Sequence, residues 1–537
     1  ILFFVLTYFG VIAFLLISKA NYVMIGFNNK NNNTKKKKLV KHILKHLFIG
    51  FFCVLAFAII YISDWGAKTF NVDIEAIIFT ISNLIKGSND EVVKEAIIYS
   101  IPRIAFIAIL YVTYAILDYR RKYLLNLRSC NRITLKISTI TKWFVSIGCV
   151  VIFILSVFYV DGHFGLFEYV KMRMQKTYIY EEKYVNPNNV NIRLVDENSK
   201  KNLIYIYLES METTYTSIEN GGYQEQCYIP NLVKLAKDNV SFSNTDKIGG
   251  FLNTSGTSWT MASLLATSSG IPFNFPIEGN SMNERETFSS NLVTLGDILD
   301  DFGYNQTFLC GSDADFGGRK KYFQSHGKYE IFDLYTAREK GYIEKDYYTW
   351  WGFEDKYLYE IAKREILEKS KLDEPFNYTM LTVDTHHHDG YICDLCDNMY
   401  TNKTANVVSC ADKQVYDFVE WCKQQDFYKD TIIVITGDHP RMDTSLVENL
   451  KYEERPIYNC FINCNTTNSF LNKNRTFTAM DIFPTVLSSM GYVWDGNRLG
   501  LGTNLFSSQK TLAEELGFNN FNNELKKSSD FYMQNFY

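Results

Sequence analysis

Neither sign of charge is in excess in this chain: 55 lysines and arginines face 59 aspartates and glutamates, a formal net charge of −4. A bulk polyanion is therefore not implied as a partner, and no nucleic acid is expected. Long apolar runs are missing after about residue 160, although the first 160 residues are full of them. At 537 residues the sequence is too long for one ordinary domain, and that asymmetry is where it divides. The 11 cysteines lack the company a structural zinc site needs. Cys393-Asp-Leu-Cys396 resembles a CxxC and Cys460 and Cys464 form a close pair, but no second CxxC or nearby histidine cluster completes either. Eight cysteines lie after residue 200, an even count that suits disulfides if this part is outside the cytoplasm; free buried thiols are the alternative. An initiator Met is also lacking. Ile1 falls inside an apolar run, so the chain is expected to be a fragment.

What is present in the first 160 residues reads as membrane. Four apolar runs, about 1–18, 47–63, 96–117 and 143–160, are each long enough to span hydrocarbon. The loop after the first carries Lys30, Lys35, Lys36, Lys37, Lys38, Lys41 and Lys45 without an acid. The loop after the third carries Arg120, Arg121, Lys122, Arg128, Arg132, Lys136 and Lys142, with Asp118 at its edge. The positive-inside bias puts both loops in the cytoplasm and everything after Asp161 outside. The same alternation puts Ile1 outside, which implies one further helix upstream and five in the full protein. Residues 76–85 are apolar but too short to span and read as an interfacial or re-entrant helix. The domain boundaries follow: a transmembrane domain over 1–160, an amphipathic and extended linker over 161–200, a catalytic domain over 201–510 and a C-terminal tail over 511–537.

The soluble part contains strands of the buried type. Leu203-Ile-Tyr-Ile-Tyr-Leu208 runs into Glu209-Ser-Met-Glu212, Tyr378-Thr-Met-Leu-Thr-Val383 into Asp384-Thr-His-His-His388, and Thr431-Ile-Ile-Val-Ile-Thr436 into Gly437-Asp438-His439. Apolar strands separated by helical stretches (291–302, 353–368, 410–424) predict an α/β domain with a mainly parallel sheet covered by helices on both faces. In such sheets ligands bind beyond the carboxyl ends of the strands, where Glu209, His386, Asp438 and His439 all fall.

The chemistry centres on 253–272, a polar turn that enters a short helix near Trp259. A hydroxyl in the first turn of a helix sits among unpaired N–H groups, which favour an alkoxide and attract phosphate. Thr260 is the candidate nucleophile; Thr257 and Ser258 compete, and either could simply cap the helix. Glu209, Asp438 and His439, with Thr260 as a fourth ligand, suit one divalent ion, Mn²⁺ or Zn²⁺, with Mg²⁺ possible. Such an ion would activate the Thr260 hydroxyl. Arg319, in the Gly-rich Gly311-Ser-Asp-Ala-Asp-Phe-Gly-Gly-Arg319, could clamp a phosphate; His386 and His387 could bind it or protonate a leaving alkoxide.

Taken together, these segments resemble the lipoteichoic acid synthase and phosphoglycerol transferase I family of the alkaline phosphatase/sulfatase superfamily. The resemblance rests on Tyr207-Leu-Glu-Ser210, Gly256-Thr-Ser-Trp-Thr-Met-Ala262, Trp351-Gly-Phe-Glu-Asp355, Asp384-Thr-His-His-His-Asp-Gly390 and Gly437-Asp-His439, in that order. It implies a sulfatase-like domain whose metal, Mn²⁺ by first choice, is held by Glu209, Thr260, Asp438 and His439. Thr260 would carry a glycerophosphoryl group taken from phosphatidylglycerol, with Arg319 and His386 on the phosphate. A glycan or polyglycerophosphate would be the acceptor, at the outer face of a cell inner or plasma membrane. One departure is Gly317, where lipoteichoic acid synthases tend to carry Trp. A phosphoethanolamine transferase and a sulfatase-like phosphodiesterase are the alternatives; the Cys/Ser-x-Pro-x-Arg site expected of a sulfatase is absent.

Overall fold

A computed structural model describes residues 32–70, 74–82, 90–127, 132–196, 199–275, 287–448, 450–464 and 471–537. The chain divides into two compact units, one containing the helices up to Leu166, the other containing Phe70–Asn89 and Phe167–Tyr537. The first unit is helical: α1 (Asn32–Thr69), α3 (Asp90–Leu127) and α4 (Arg132–Phe164), with α1 packed against both others. Each contains a stretch long and apolar enough to cross a membrane, at Val40–Thr69, Val93–Ile116 and Trp143–Phe164. Large apolar side chains such as Ile98, Phe106, Phe144 and Phe158 point outward, as hydrocarbon contact requires. The run expected at 1–18 lies outside the described residues, and with it the count of four.

The second unit is built on a six-stranded sheet. Its strands are β1 (Asn202–Leu208), β2 (Asn305–Cys310), β3 (Glu330–Phe332), β4 (Phe376–Leu381), β5 (Thr431–Gly437) and β6 (Asn459–Ile462), in the order β3-β2-β4-β1-β5-β6. All neighbours are parallel except β5 and β6. Successive side chains of a strand point to opposite faces, and here both faces are buried. Leu203, Tyr205 and Tyr207 enter one core; Ile204, Ile206 and Leu208 enter the other. This is why the strands read as continuous apolar runs. The first core is covered by α7 (Thr260–Ser269) and α11 (Ala479–Ser489), the second by α9 (Asp355–Lys369) and α10 (Lys403–Lys423). Two shorter helices add to them: α6 (Pro230–Asp238), before α7, joins the second core, and α8 (Arg319–Ser325) joins the first.

Two segments differ from expectation. The short helix α2 (Ile74–Ser82), read as interfacial or re-entrant, belongs to the second unit and puts Ala76 and Phe79 into its first core. Nine residues are too few to span a bilayer, and two of its apolar side chains pack on protein. The segment expected as a tail folds into α12 (Leu512–Leu516), α13 (Phe518–Lys526) and α14 (Asp530–Asn535). Leu512, Phe521, Leu525, Tyr532 and Phe536 are buried in the same core. The amphipathic stretch after Gly162 contains α5 (Leu166–Arg173), a helix with no buried residue.

Candidate active site

The parallel register brings the strand ends together. Leu208 pairs with Gly437 and Tyr207 with Leu381, so Glu209, Asp438 and the turn after β4 emerge side by side. Glu209, Asp438 and His439 are each at most 2% exposed, and each offers a ligand atom within 4.8 Å of the others. Thr260 is the first residue of α7, after Trp259, whose side chain makes no cap. Its Oγ1 donates to Glu209 Oε2 at 3.3 Å and lies 3.4 Å from His439 Nε2. The four residues named from the sequence thus share one buried spot. Thr257, a competing hydroxyl, is committed to its own turn: it donates to the Thr254 carbonyl at 2.8 Å and accepts from Thr254 N at 3.0 Å.

The electrostatics of this spot are those of a cation site. The Pro440 carbonyl, 2.8 Å away, can only accept, so His439 Nδ1 carries a proton. In the neutral ring Nε2 is then a lone pair, 3.5 Å from both Glu209 Oε1 and Asp438 Oδ2. Asp438 Oδ1 accepts from the N–H groups of Ser210 and His439, both at 2.7 Å, while the buried Oδ2 has no hydrogen-bond partner. A lone pair and two carboxylates converge, and a proton or a cation is needed to hold them together. Burial, with Glu209 adding, pushes Asp438 up to about 7. Burial works against charge on His439, but Asp438 and Glu209 outweigh it and raise its pKa. Burial likewise opposes the charge of Glu209, and His386 and His439 hold its pKa below the ordinary value. The residues fit a divalent ion.

A polar scaffold fixes these groups. Glu209 N donates to Thr382 Oγ1 at 2.9 Å, and Thr385 Oγ1 to the Glu209 carbonyl at 2.5 Å. Beneath lies a fully buried ion pair of Glu212 with Arg455. Glu212 Oε1 also accepts from Arg441 N at 3.0 Å, and Arg455 Nη2 donates to the Arg441 carbonyl at 2.7 Å. Arg441 reaches Asp443 Oδ1 at 2.7 Å and the Thr385 carbonyl at 2.6 Å. The turn after His439 is therefore locked to the turns after β1 and β4. Asp355, at the start of α9, accepts from Val383 N at 2.7 Å and Asp384 N at 3.1 Å; burial pushes it up to about 7. Sequence reasoning missed Arg441 and Arg455. Glu212 lay in the motif, but no local spacing marks its partner 243 positions away.

The proposed phosphate contacts are placed less uniformly. His386 lies against Trp351, ring centroids 4.4 Å apart, and its Nδ1–H donates to the His387 carbonyl at 2.7 Å, leaving Nε2 available. Burial lowers its pKa, opposed by Glu209, and burial lowers that of His387 further. His387 meets Phe70 edge-on at 5.4 Å, and its Nδ1 has no partner. Arg319 is buried and turned onto its own loop: Nη2 donates to Ser312 Oγ at 3.0 Å and the Asp313 carbonyl at 2.7 Å, and Nε to the Phe316 carbonyl at 3.0 Å. Gly317 takes a left-handed φ of +67°, and a Cβ there would lie 3.6 Å from Phe79 Cζ and 3.8 Å from Met261 Cβ. The loop of Arg319 thus abuts the helix of Thr260, with the Phe79 ring beside the glycine.

Helix α2 also braces the turn that precedes Thr260, which sequence reasoning did not anticipate. Glu75 accepts from Gly256 N at 2.8 Å and from Ser255 Oγ at 2.7 Å, and Phe79 stacks on Trp259 at 5.1 Å.

The chain is similar to several known proteins. The chain is 32% identical over 322 residues to phosphoglycerol transferase I of Salmonella choleraesuis (strain SC-B67), covering 58% of this chain and 40% of that protein. It is 32% identical over 320 residues to phosphoglycerol transferase I of Escherichia coli O127:H6, covering 58% and 39%. It thus spans about two fifths of the length of these relatives. Among solved structures, the lipoteichoic acid synthase LtaP from Listeria monocytogenes aligns with 61% of this chain and 80% of its own, at 19% identity and a TM-score of 0.44. The family model for Sulfatase matches residues 201–492, which contain β1 to β6 and all of the clustered residues. By that match, over more than half its length, the chain belongs to the sulfatase family.

Proposed function

We propose that the chain is a membrane-anchored, metal-dependent phosphotransferase that moves glycerophosphate from phosphatidylglycerol to Thr260 and then to a hydroxyl of a glycan or polyglycerophosphate. The observation that carries this reading is the Thr260 hydroxyl, at a helix start, held between Glu209 and His439 beside an unpartnered Asp438 oxygen. The names of the Salmonella and E. coli relatives support the glycerol headgroup.

Glu209, Thr260, Asp438 and His439 would hold the ion, Mn²⁺ by first choice, with Zn²⁺ and Mg²⁺ as alternatives. When bound it supplies a lowered hydroxyl pKa and neutralises charge on a non-bridging phosphate oxygen. Thr260 Oγ1–H already points at Glu209 Oε2, which sets the exit for its proton. Oγ1 then attacks phosphorus, a P–O bond forms, and the P–O bond to diacylglycerol breaks. The leaving alkoxide takes a proton from solvent or from protonated His386. The uncapped N–H groups of α7 face the phosphate oxygens. In the second half an acceptor hydroxyl attacks phosphorus, its proton passing to His386 Nε2; the P–O bond to Thr260 breaks and Oγ1 takes back its proton from Glu209. Arg319 and His387 complete the phosphate contacts. The unit that contains the membrane-length helices anchors the chain, and the catalytic unit lies on the outer side of the membrane. Covalent continuity with membrane-length helices raises the effective concentration of a lipid donor.

The test is to incubate the full chain, reconstituted in liposomes, with phosphatidylglycerol labelled in its headgroup glycerol. Acid quenching should trap the label on Thr260. Thr260→Ala should lose turnover by about 10³-fold or more with its fold intact, and Thr260→Ser should retain part of it. Phospholipid-dependent transfer by Thr260→Ala would refute the assignment. Release of label from phosphatidylethanolamine instead would move the donor to the phosphoethanolamine class.

A further inference from the structure

Away from this site, three thiols meet. Cys393 and Cys396 lie in the loop between β4 and α10, and Cys410 lies on α10. Cys393 Sγ is 3.8 Å from both Cys396 Sγ and Cys410 Sγ, and the three sulfurs are within 4.8 Å of one another. A disulfide would need about 2.05 Å. Two thiolates on one tetrahedral ion, with metal–sulfur bonds of about 2.3 Å, sit about 3.8 Å apart. Gln414, one helical turn after Cys410 and 92% buried by its 8% exposure, closes the fourth side. Its Nε2 lies 3.4 Å from Cys410 Sγ and 3.9 Å from Cys393 Sγ, and its Oε1 has no partner. Exchanging the two amide atoms, which differ only in their hydrogens, turns the unpartnered oxygen toward the sulfurs.

We propose that Cys393, Cys396, Cys410 and the Gln414 carbonyl oxygen form a structural site for one zinc ion, separate from the catalytic centre. Three thiolates select a borderline-to-soft divalent ion over Mg²⁺ or Mn²⁺. They would leave a net charge of −1 around the ion. Binding releases the remaining thiol protons to solvent. The spacing is C-x2-C-x13-C-x3-Q, in which the third and fourth ligands come from a helix. The ion would fasten to α10 the loop that leaves His386, whose path is already tied by Tyr391 N to the Asp384 carbonyl at 2.8 Å.

The experiment uses the full chain purified in detergent without chelator, in an Asp438→Ala background that removes the ion of the candidate active site; zinc on the His42–His46–Asp118 and His388–Asp389–Asp443 groups is read as the part that Cys410→Ser leaves unchanged. Elemental analysis should find about one zinc per chain, and Cys410→Ser should lose it. Cobalt(II) should give a near-ultraviolet thiolate charge-transfer band in the parent and not in Cys410→Ser. Gln414→Glu should keep the metal, whereas Gln414→Leu should weaken it by about 10- to 100-fold. Should Cys410→Ser fail to fold, the cobalt band and the Gln414 pair decide alone. A mass deficit of two hydrogens joining any two of these cysteines before reduction would overturn the proposal. So would free alkylation of all three thiols without chelator, or zinc content indifferent to Cys410→Ser.

Discussion

At the scale of single residues, the hydrogen bonds of His439 and Asp438 decide which of their atoms face the candidate ion site. His439 spends Nδ1 on the Pro440 carbonyl and Asp438 spends Oδ1 on two N–H groups, so only Nε2 and Oδ2 remain for a ligand. The loop that presents them depends on Glu212 and Arg455, both 0% exposed. Removing one member of a buried pair leaves an uncompensated charge, at a cost of about 3–5 kcal/mol. Arg455→Met should therefore lower the thermal midpoint of the catalytic unit sharply, and Glu212→Gln/Arg455→Met should recover much of the loss. Circular-dichroism melts of the two variants would measure this. A double variant no more stable than Arg455→Met would mean that the hydrogen bonds to Arg441, not the charges, carry the effect.

At the scale of elements, one helix is capped by a side chain from another. Asp412 on α10 accepts from Leu232 N at 2.7 Å, Asn231 N at 3.1 Å and Asn231 Nδ2 at 2.8 Å, at the start of α6. Burial outweighs these donors and pushes its carboxyl up to about 6. The folded state therefore holds a proton that the unfolded chain, with a pKa of about 3.9, releases earlier. That contribution is complete below about pH 4 and is lost as pH rises through 6, a change of about 3 kcal/mol. Asp412→Asn lacks this titration. The stability of wild type relative to Asp412→Asn should fall between pH 4 and 6, and a constant difference would contradict the shift. The sheet carrying these helices was legible in the sequence because both its faces are buried, so β1, β4 and β5 read as unbroken apolar runs ending in chemistry. The strand-end rule placed Glu209, His386, Asp438 and His439 at one edge of the sheet, and Thr260 was named separately, from its place at a helix start. What was not legible is pairing across distance: Glu212 with Arg455, Cys393 with Cys410, and Glu75 with the turn at 255–256. The packing of helix α2 on the second unit was not legible because burial against protein and burial in lipid select the same apolar residues.

At the scale of the whole molecule, the catalytic unit is not one continuous stretch of chain. The family match begins at residue 201, yet the unit also takes in Phe70–Asn89 and the residues from Phe167. From outside the match, Ala76, Phe79, Ile179, Tyr180 and Leu194 enter its first core, and Glu75 holds Gly256 N four residues before Thr260. Each large apolar side chain among these contributes about 1.5–3 kcal/mol by burial. A hydrogen bond to a charged group contributes about 1.5–3 kcal/mol. Trimming should thus act in two separable steps. A fragment of 167–537 should melt well above one of 201–537, since it keeps Ile179, Tyr180 and Leu194. Both should turn over a soluble short-chain phosphatidylglycerol more slowly than the full chain, because the nucleophile turn has lost Glu75. In the full chain, Glu75→Leu should reproduce that loss, about tenfold or more in kcat with KM little changed. Glu75→Gln, which keeps one acceptor oxygen, should fall between. Equal kcat for the full chain, Glu75→Leu and the 167–537 fragment would show that the turn at 255–256 holds Thr260 in place without α2.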